Sequence, residues 1–284
     1  VYERGSTTRH ERGIGDGAHT VTEAIYRWRD GTLELLDWCD MTETVIVVAD
    51  SWLVSDGRTL ALGLHRQRFA SGAADFATES AADLDLDAFW DACIAAIPRE
   101  GDYFPRVELQ SRHGAPLLVF RLRESPERTA SVTVVSNDGT VPRTQPRVKG
   151  PDLAQLQLLR TRAQERGASE SILLTPEGYV IEGAYSAIVW WRGDILCSPP
   201  DTEEFARVDS VTARSVLTLA TALGIETYRE AVTPAELDGC EVWALSALHG
   251  ARIVTNWVDG PEMAELPGRL NQWRTRLGAL AKPI

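Results

Sequence analysis

The chain has 284 residues, 44% of them hydrophobic and 25% charged, with a formal net charge of −12. That length suits two domains, or one large one, and the composition belongs to a folded protein rather than a mostly disordered chain. So acidic a chain lacks the basic stripe that a nucleic-acid backbone requires.

The four cysteines, Cys39, Cys93, Cys197 and Cys240, stand far apart and give no metal-ligand spacing. Reduced thiols and a cytoplasmic setting are the expectation, with no metal. No run approaches the roughly 20 apolar residues of a membrane span. The polar, arginine-rich Val1–Asp16 has no apolar core of the kind a signal peptide carries.

In chain order, the β-branched run Val45–Ala49 predicts a buried strand, and the strand pattern after it closes on an Asp56-Gly57 turn. Leu86, Phe89, Trp90, Cys93, Ile94 and Ile97 recur at helical spacing, and Pro98 ends that helix. Val107–Leu109 and Leu117–Leu122 read as further strands. Antiparallel strands with a helix laid on them make an α+β layer, here a smaller N-terminal domain over 1–125. The stretch from Glu124 to Val148 carries Pro126, Pro142, Pro146 and an Asn137-Asp138-Gly139 turn. Its composition suits an interdomain linker, bounded at 126–148.

Beyond it, a larger domain is expected over 149–284. Asp152–Gly167 reads as a helix with Leu153, Leu156, Leu159 and Ala163 inward and Gly167 as its stop. Ser171–Thr175 and Tyr179–Glu182 form one hairpin, and Ser186–Trp191 and Ile195–Cys197 another. Ser210–Leu223 is a helix capped by Asp209 or Ser210 and stopped by Gly224. Val242–Ala247 and Ala251–Val254 are strands, and Leu270, Trp273, Leu277 and Leu280 mark a last helix. The tryptophans, nine in all and including Trp190-Trp191, belong to core and interface.

Four segments carry chemistry: HRQRF (His65–Phe69), RVKGPDLAQLQLLRTRAQERG around Lys149, SILLTPEGYVIEGAYSAIVWW around Glu182, and RVDSVTARSVLTLA entering a helix at Thr212. In this order and spacing they resemble the class IV aminotransferases, a family that includes branched-chain and D-amino-acid aminotransferases and 4-amino-4-deoxychorismate lyase. The resemblance covers roughly Asp50 to Gly260. It implies a two-domain α+β fold, the pyridoxal-5′-phosphate (PLP) fold type IV of D-amino-acid aminotransferase, with the active site in the interdomain cleft. It also implies PLP as cofactor, a small-molecule amino substrate and a homodimer.

Carried over residue by residue, the resemblance makes Lys149 the amine that holds PLP and later moves the Cα proton. The chain has only two lysines, and the other, Lys282, stands near the C-terminus. Glu182 matches the acid facing the pyridine nitrogen, and Arg68 the arginine gripping the phosphate. Val211 and Thr212 match the helix-entry residues that bind phosphate through free N–H groups and a hydroxyl. Ser246 matches a further hydroxyl near the phosphate. His65 belongs to the motif of Arg68 as a supporting residue. On the substrate side, Ser51 stands where lyase members place a hydroxyl near the reacting atom, and His249 lies in a loop that approaches the substrate.

The chain departs from the family at Ala187, where asparagine is common, at Ala213, where arginine is common, and at Ala247, where threonine is common. Ala49 replaces an aromatic residue. Cofactor-side features are thus better matched than substrate-side ones. SALHGARIV and EGAYSAIVWW resemble the lyase branch, which releases pyruvate and 4-aminobenzoate. An amino-acid aminotransferase and a family member that has lost activity are the alternatives.

Overall fold

The computed structural model describes residues 23–36, 43–80, 84–137, 139 and 143–284. The stretch Val1–Asp16, Cys39, and the expected turn and proline at Asp138 and Pro142 lie outside these residues.

The first half builds a five-stranded sheet in the order β2-β1-β8-β7-β3. Strands β1 (Glu23–Arg29) and β2 (Thr32–Leu35) form a hairpin closed by Asp30 and Gly31, both at positive φ. An Asp-Gly pair suits that turn because glycine carries no Cβ to oppose the left-handed backbone. β3 (Val45–Ser51) follows, and the short pair β4 (Val54–Ser55) and β5 (Arg58–Thr59) turns at Asp56-Gly57 as expected.

Helix α1 (Leu62–Ser80) is the largest element that the hydrophobic pattern did not announce. Its inward face buries His65, Phe69 and Ala73, with Leu62 and Phe76 partly buried against the same core. At Gly72 a Cβ would come within 2.7 Å of Val48 Cγ2. The helix therefore lies close against β3. Helix α2 (Leu86–Ala96) is capped by Asp85, whose carboxylate accepts the Ala88 N–H at 2.9 Å. It buries Phe89, Trp90 and Cys93, and Trp90 stacks on Trp52 at 4.8 Å. β6 (Asp102–Tyr103) joins the β4–β5 pair, and β7 (Arg106–Arg112) and β8 (Ala115–Arg123) complete the sheet.

The second half is built on an eight-stranded sheet in the order β11-β10-β9-β16-β15-β12-β13-β14. Its first strand in sequence, β9 (Ser131–Ser136), corrects the expectation of a linker through 126–148. β9 runs parallel to both β10 (Glu170–Leu174) and β16 (Gly250–Val258), and it buries Val132, Val134 and Val135. Prolines on either side mask it in composition, but a valine at every inward position is enough to seat a short strand between two others.

Helix α3 (Leu153–Glu165), strands β11 (Val180–Gly183), β12 (Ala187–Arg192) and β13 (Ile195–Ser198), and helix α4 (Val211–Ala222) fall where the periodicity predicts. Of α3's expected inward residues, Leu159 and Ala163 are buried. β14 (Thr227–Arg229), a 3-10 turn (Pro234–Leu237), β15 (Glu241–Ser246) and α5 (Arg269–Ala279) follow.

Strand β12 is apolar without alternation because both its faces are covered. Ile188 and Trp190 pack in one layer with Val134 and Val254. Val189 and Trp191 pack in the other beneath α4 and α5, where Trp191, Trp243 and Trp273 meet edge to face at 5.4, 5.5 and 5.6 Å. The chain ends on β17 (Lys282–Pro283), which pairs with β5 and ties the C-terminus back to the first half. Lys282 is exposed there.

Among the described residues no helix is long and apolar enough to cross a membrane.

Candidate active site

A cleft between the two halves, with about 750 Å³ of empty space to its open mouth, is lined by Lys149, Glu182, Arg68, Val211, Thr212 and Ser246. These residues come from a loop, β11, α1, α4 and β15, far apart in the chain, so only the fold brings them together.

Lys149 is placed by its neighbours. Gly150 has φ of +141°, and a Cβ there would lie 2.8 Å from Ala49 N and 2.9 Å from Val48 Cα. Glycine alone allows the loop to rest on the backbone of β3, where the Ala49 N–H donates to the Lys149 carbonyl at 2.7 Å. From the other side, the buried Asp152 carboxylate accepts the Thr144 N–H and hydroxyl, both at 2.8 Å, and the Gln145 N–H at 3.2 Å. The loop is pinned at both ends. Burial of the amine and the charge of Arg68 push the Lys149 pKa down to about 8, against the pull of Asp50 and Glu182.

Glu182 is the penultimate residue of β11, and burial pushes its carboxyl up to about 8, opposed by Arg143, Arg207, Lys149 and the Val208 N–H. Arg143 Nη1 donates to Glu182 Oε1 at 2.6 Å. The loop behind it is tightly set: a Cβ on Gly183 would collide with Ser186 Oγ and lie 3.1 Å from the Glu170 side chain. The Ser186 hydroxyl donates to the buried Glu170 at 2.9 Å.

Arg68 lies one turn after His65 on α1. Its Nε and Nη2 donate to the two oxygens of Asp50 at 2.7 and 2.8 Å, and Nη1 donates to the Asp209 carbonyl at 2.8 Å. Asp50 is fully buried, which would raise its pKa, but Arg68 and His65 outweigh burial and hold it at about 2. His65 meets Asp50 at 2.8 Å through Nδ1. An ionised carboxylate only accepts, so Nδ1 carries the ring's proton. Burial holds His65 below its ordinary range. Arg68 thus reaches the cleft with one edge already fixed.

Val211 and Thr212 begin α4, whose cap is Ser210 rather than Asp209. The Ser210 hydroxyl accepts the Ala213 N–H at 3.2 Å. The first N–H groups of a helix have no partner within it, and they open on this cleft. Ser246 ends β15, and its hydroxyl accepts the His249 N–H at 3.3 Å.

Two expected residues are not brought to the cleft. Ser51, at the end of β3, is 7% exposed and sits opposite Arg106 on β7, outside the lining. His249 lines a second chamber, and its Nδ1 accepts the Thr129 N–H at 3.2 Å. Of the departures from the family, Ala187 and Ala247 line the cleft and Ala213 does not.

Three residues of the site went unread in the sequence. Asp50 signals itself as a charge inside an apolar strand. Arg143, in a proline-rich stretch, gives no signal. Tyr185 also lines the cleft, donating to Gln157 Oε1 at 2.8 Å, with the Arg160 guanidinium 5.4 Å from its ring centre.

The donor set fits PLP: a buried amine of lowered pKa, a helix N-terminus beside an arginine for a phosphate, and a buried carboxyl for a ring nitrogen. Asp50 holds the Arg68 guanidinium, and Arg143 donates to Glu182.

Comparison with known proteins agrees. The family model of amino-transferase class IV matches residues 47–257. No curated protein matches the sequence at a significant level. Among solved structures, a fold IV transaminase from Curtobacterium pusillum is 20% identical with a TM-score of 0.75, over 90% of this chain and 97% of that one. A hypothetical aminotransferase from Mycobacterium tuberculosis, in its PLP-bound form, is 18% identical with a TM-score of 0.73, over 91% and 98%. A putative 4-amino-4-deoxychorismate lyase from Legionella pneumophila is 14% identical with a TM-score of 0.70, over 84% and 91%. The match to the family model spans most of the chain, which therefore belongs to the class IV amino-transferases, a family of PLP-dependent enzymes.

Proposed function

We propose that this cleft binds PLP through Lys149 and acts on an amino substrate as a 4-amino-4-deoxychorismate lyase-like enzyme, releasing pyruvate and 4-aminobenzoate. The observation that carries the cofactor reading is the convergence of Lys149, Glu182, Arg68 and Thr212 on one cavity. The bound cofactor supplies an electron sink for the bonds broken next to the substrate amine.

In this reading the chain's own groups divide the work. Lys149 would hold the cofactor, and its amine, of lowered pKa, would serve as the base that takes the Cα proton. Glu182 holds a proton at the ring nitrogen. A cation beside the buried Glu182 carboxylate would lower that carboxyl's pKa, so Glu182 would favour a protonated ring nitrogen there. Arg68 and the first N–H groups of α4, with the Thr212 hydroxyl, hold the phosphate, and Ser246 adds a hydroxyl. Asp50 and His65 keep Arg68 in place. A homodimer completes the site, as the family resemblance implies.

The lyase assignment draws on Ala187 and Ala247, small residues in the cleft wall where other family members carry polar ones. One observation favours a second reading, an amino-acid aminotransferase. Ser51, the hydroxyl that the lyase reading would place near the reacting atom, does not line the cleft.

The test is to incubate PLP-loaded protein with aminodeoxychorismate and no keto-acid acceptor. Release of pyruvate and 4-aminobenzoate supports the lyase. Inertness there, with amine transfer from L-glutamate or D-alanine to the cofactor, supports the aminotransferase.

A further inference from the structure

Tyr185 stands in the loop between β11 and β12, and from Val180 to Trp191 it is the one residue that is not buried. It lines the cleft, and no other phenyl or indole ring does so among the described residues. With Leu153 and Leu156 of α3 it makes an apolar stretch in a wall whose other groups are largely polar.

The ring is fixed from three directions. The buried Glu170 carboxylate accepts the Tyr185 N–H at 3.2 Å, together with the Ser171 N–H at 3.1 Å and the Ser186 hydroxyl at 2.9 Å. The loop backbone is thereby held to β10. The phenol donates to Gln157 Oε1 on α3 at 2.8 Å. Burial raises the phenol's pKa, with Glu170 adding to the rise and Arg160 and Arg106 opposing it, so the hydroxyl keeps its proton for that bond. The Arg160 guanidinium lies 5.4 Å from the ring centre and covers one face. Arg106, on β7 of the first half, acts on the Tyr185 phenol and on the Lys149 amine, so ring and amine share a neighbour across the cleft. A tyrosine already held in place offers a ligand a large flat surface at little cost in side-chain entropy.

We propose that Tyr185 is a specificity-determining residue, the wall against which the side chain of the amino substrate packs, and that it favours a flat ring over a branched aliphatic group. The inference rests on the PLP reading of the cleft and adds the residue that sorts substrates within it. Two rings stack offset or edge to face and gain more than the area they bury, whereas a branched chain meets the ring only through its methyl groups.

The test uses the PLP-loaded enzyme, with loading checked by its visible absorbance. Two acids without an amine, 3-phenylpropanoate and 4-methylpentanoate, are titrated by calorimetry. Wild type should bind the first roughly fivefold more tightly, the size of one aromatic pair. Tyr185→Phe should keep that preference, and Tyr185→Leu should reduce it to about one while loading PLP as wild type does. A purely structural role would weaken both acids alike and leave their ratio unchanged. In wild type labelled with 3-fluorotyrosine, one of six tyrosine signals is the one missing from Tyr185→Phe, and it should shift on binding of 3-phenylpropanoate. This reading does not depend on the leucine variant folding. An unchanged ratio in Tyr185→Leu, a fluorine signal that stays still while the acid binds, or binding of neither acid overturns the proposal. Failure to acquire the visible absorbance, with the ring preference and its loss in Tyr185→Leu intact, refutes the cofactor reading and leaves the role of Tyr185 standing.

Discussion

Asp50 and Arg68 meet edge to edge, two hydrogen bonds of 2.7 and 2.8 Å between a fully buried carboxylate on β3 and a guanidinium on α1. The pair joins sheet to helix and fixes one edge of the arginine that faces the cleft. A buried ion pair costs desolvation, so its value lies in the geometry it enforces.

Asp50→Asn is expected to destabilise the protein by about 3 kcal/mol, because it leaves Arg68 without its buried counter-charge. It should also weaken PLP binding. The Asp50 pKa is depressed from 3.8 to about 2. Its contribution is therefore fully present above pH 3.8 and lost as pH falls through about 2, a range worth about 2 kcal/mol. Denaturant unfolding of wild type and variant as a function of pH checks this. A gap between the two that stayed constant down to pH 2 would refute the linkage.

Lys149→Ala should abolish the visible absorbance that PLP acquires on binding, while Lys282→Ala should keep it. With two lysines in the chain, the pair of variants assigns the amine. The neutral amine is the nucleophile, so the rate at which the apoprotein captures PLP should rise with pH and level off above about 8. Stopped-flow absorbance across that range gives the answer, and a midpoint at the ordinary lysine value would sink the assignment.

Glu182→Gln should retain PLP yet lower kcat by about a hundredfold or more, since an amide cannot hold a proton on the ring nitrogen as an acid does. Arg143→Ala should raise the Glu182 pKa further, because its largest charged partner is gone. Absorbance titration of the loaded variants would show both effects. A Glu182→Gln enzyme with full activity is the contrary outcome.

Gly150→Ala should cost roughly 3 kcal/mol and displace Lys149, because the added Cβ meets backbone atoms of Val48 and Ala49 and the residue keeps a φ of +141°. Thermal unfolding measures the first effect, and the PLP capture rate the second. A variant of unchanged stability would show that the loop does not rest on β3 as described.

The candidate site residues are legible through the family resemblance, which rests on short motifs in order. Lys149 before a helix, Glu182 near a hairpin's end and Thr212 at a helix start are candidates because the resemblance to the family implies them. Secondary structure was equally legible where periodicity is strong, as in α2, α4 and α5. Helix α1 has a weak pattern because buried His65 and Ala73 interrupt its apolar residues Leu62, Phe69 and Phe76, and β9 because prolines flank it. The β1–β2 hairpin carries a readable signal in Asp30-Gly31 between alternating apolar residues.

The amino-acid sequence alone determined which groups are available: two lysines, one of them near the C-terminus, and motifs in the order that resembles the family. Partnerships across long separations belong to the tertiary structure. Asp50 on Arg68, Arg143 on Glu182, and Tyr185 on Gln157 are contacts between residues that local propensity leaves independent. Their positions are set by how the two sheets pack, and so are the pKa values of Lys149 and Glu182, because burial and neighbouring charge arise only when the halves close on each other.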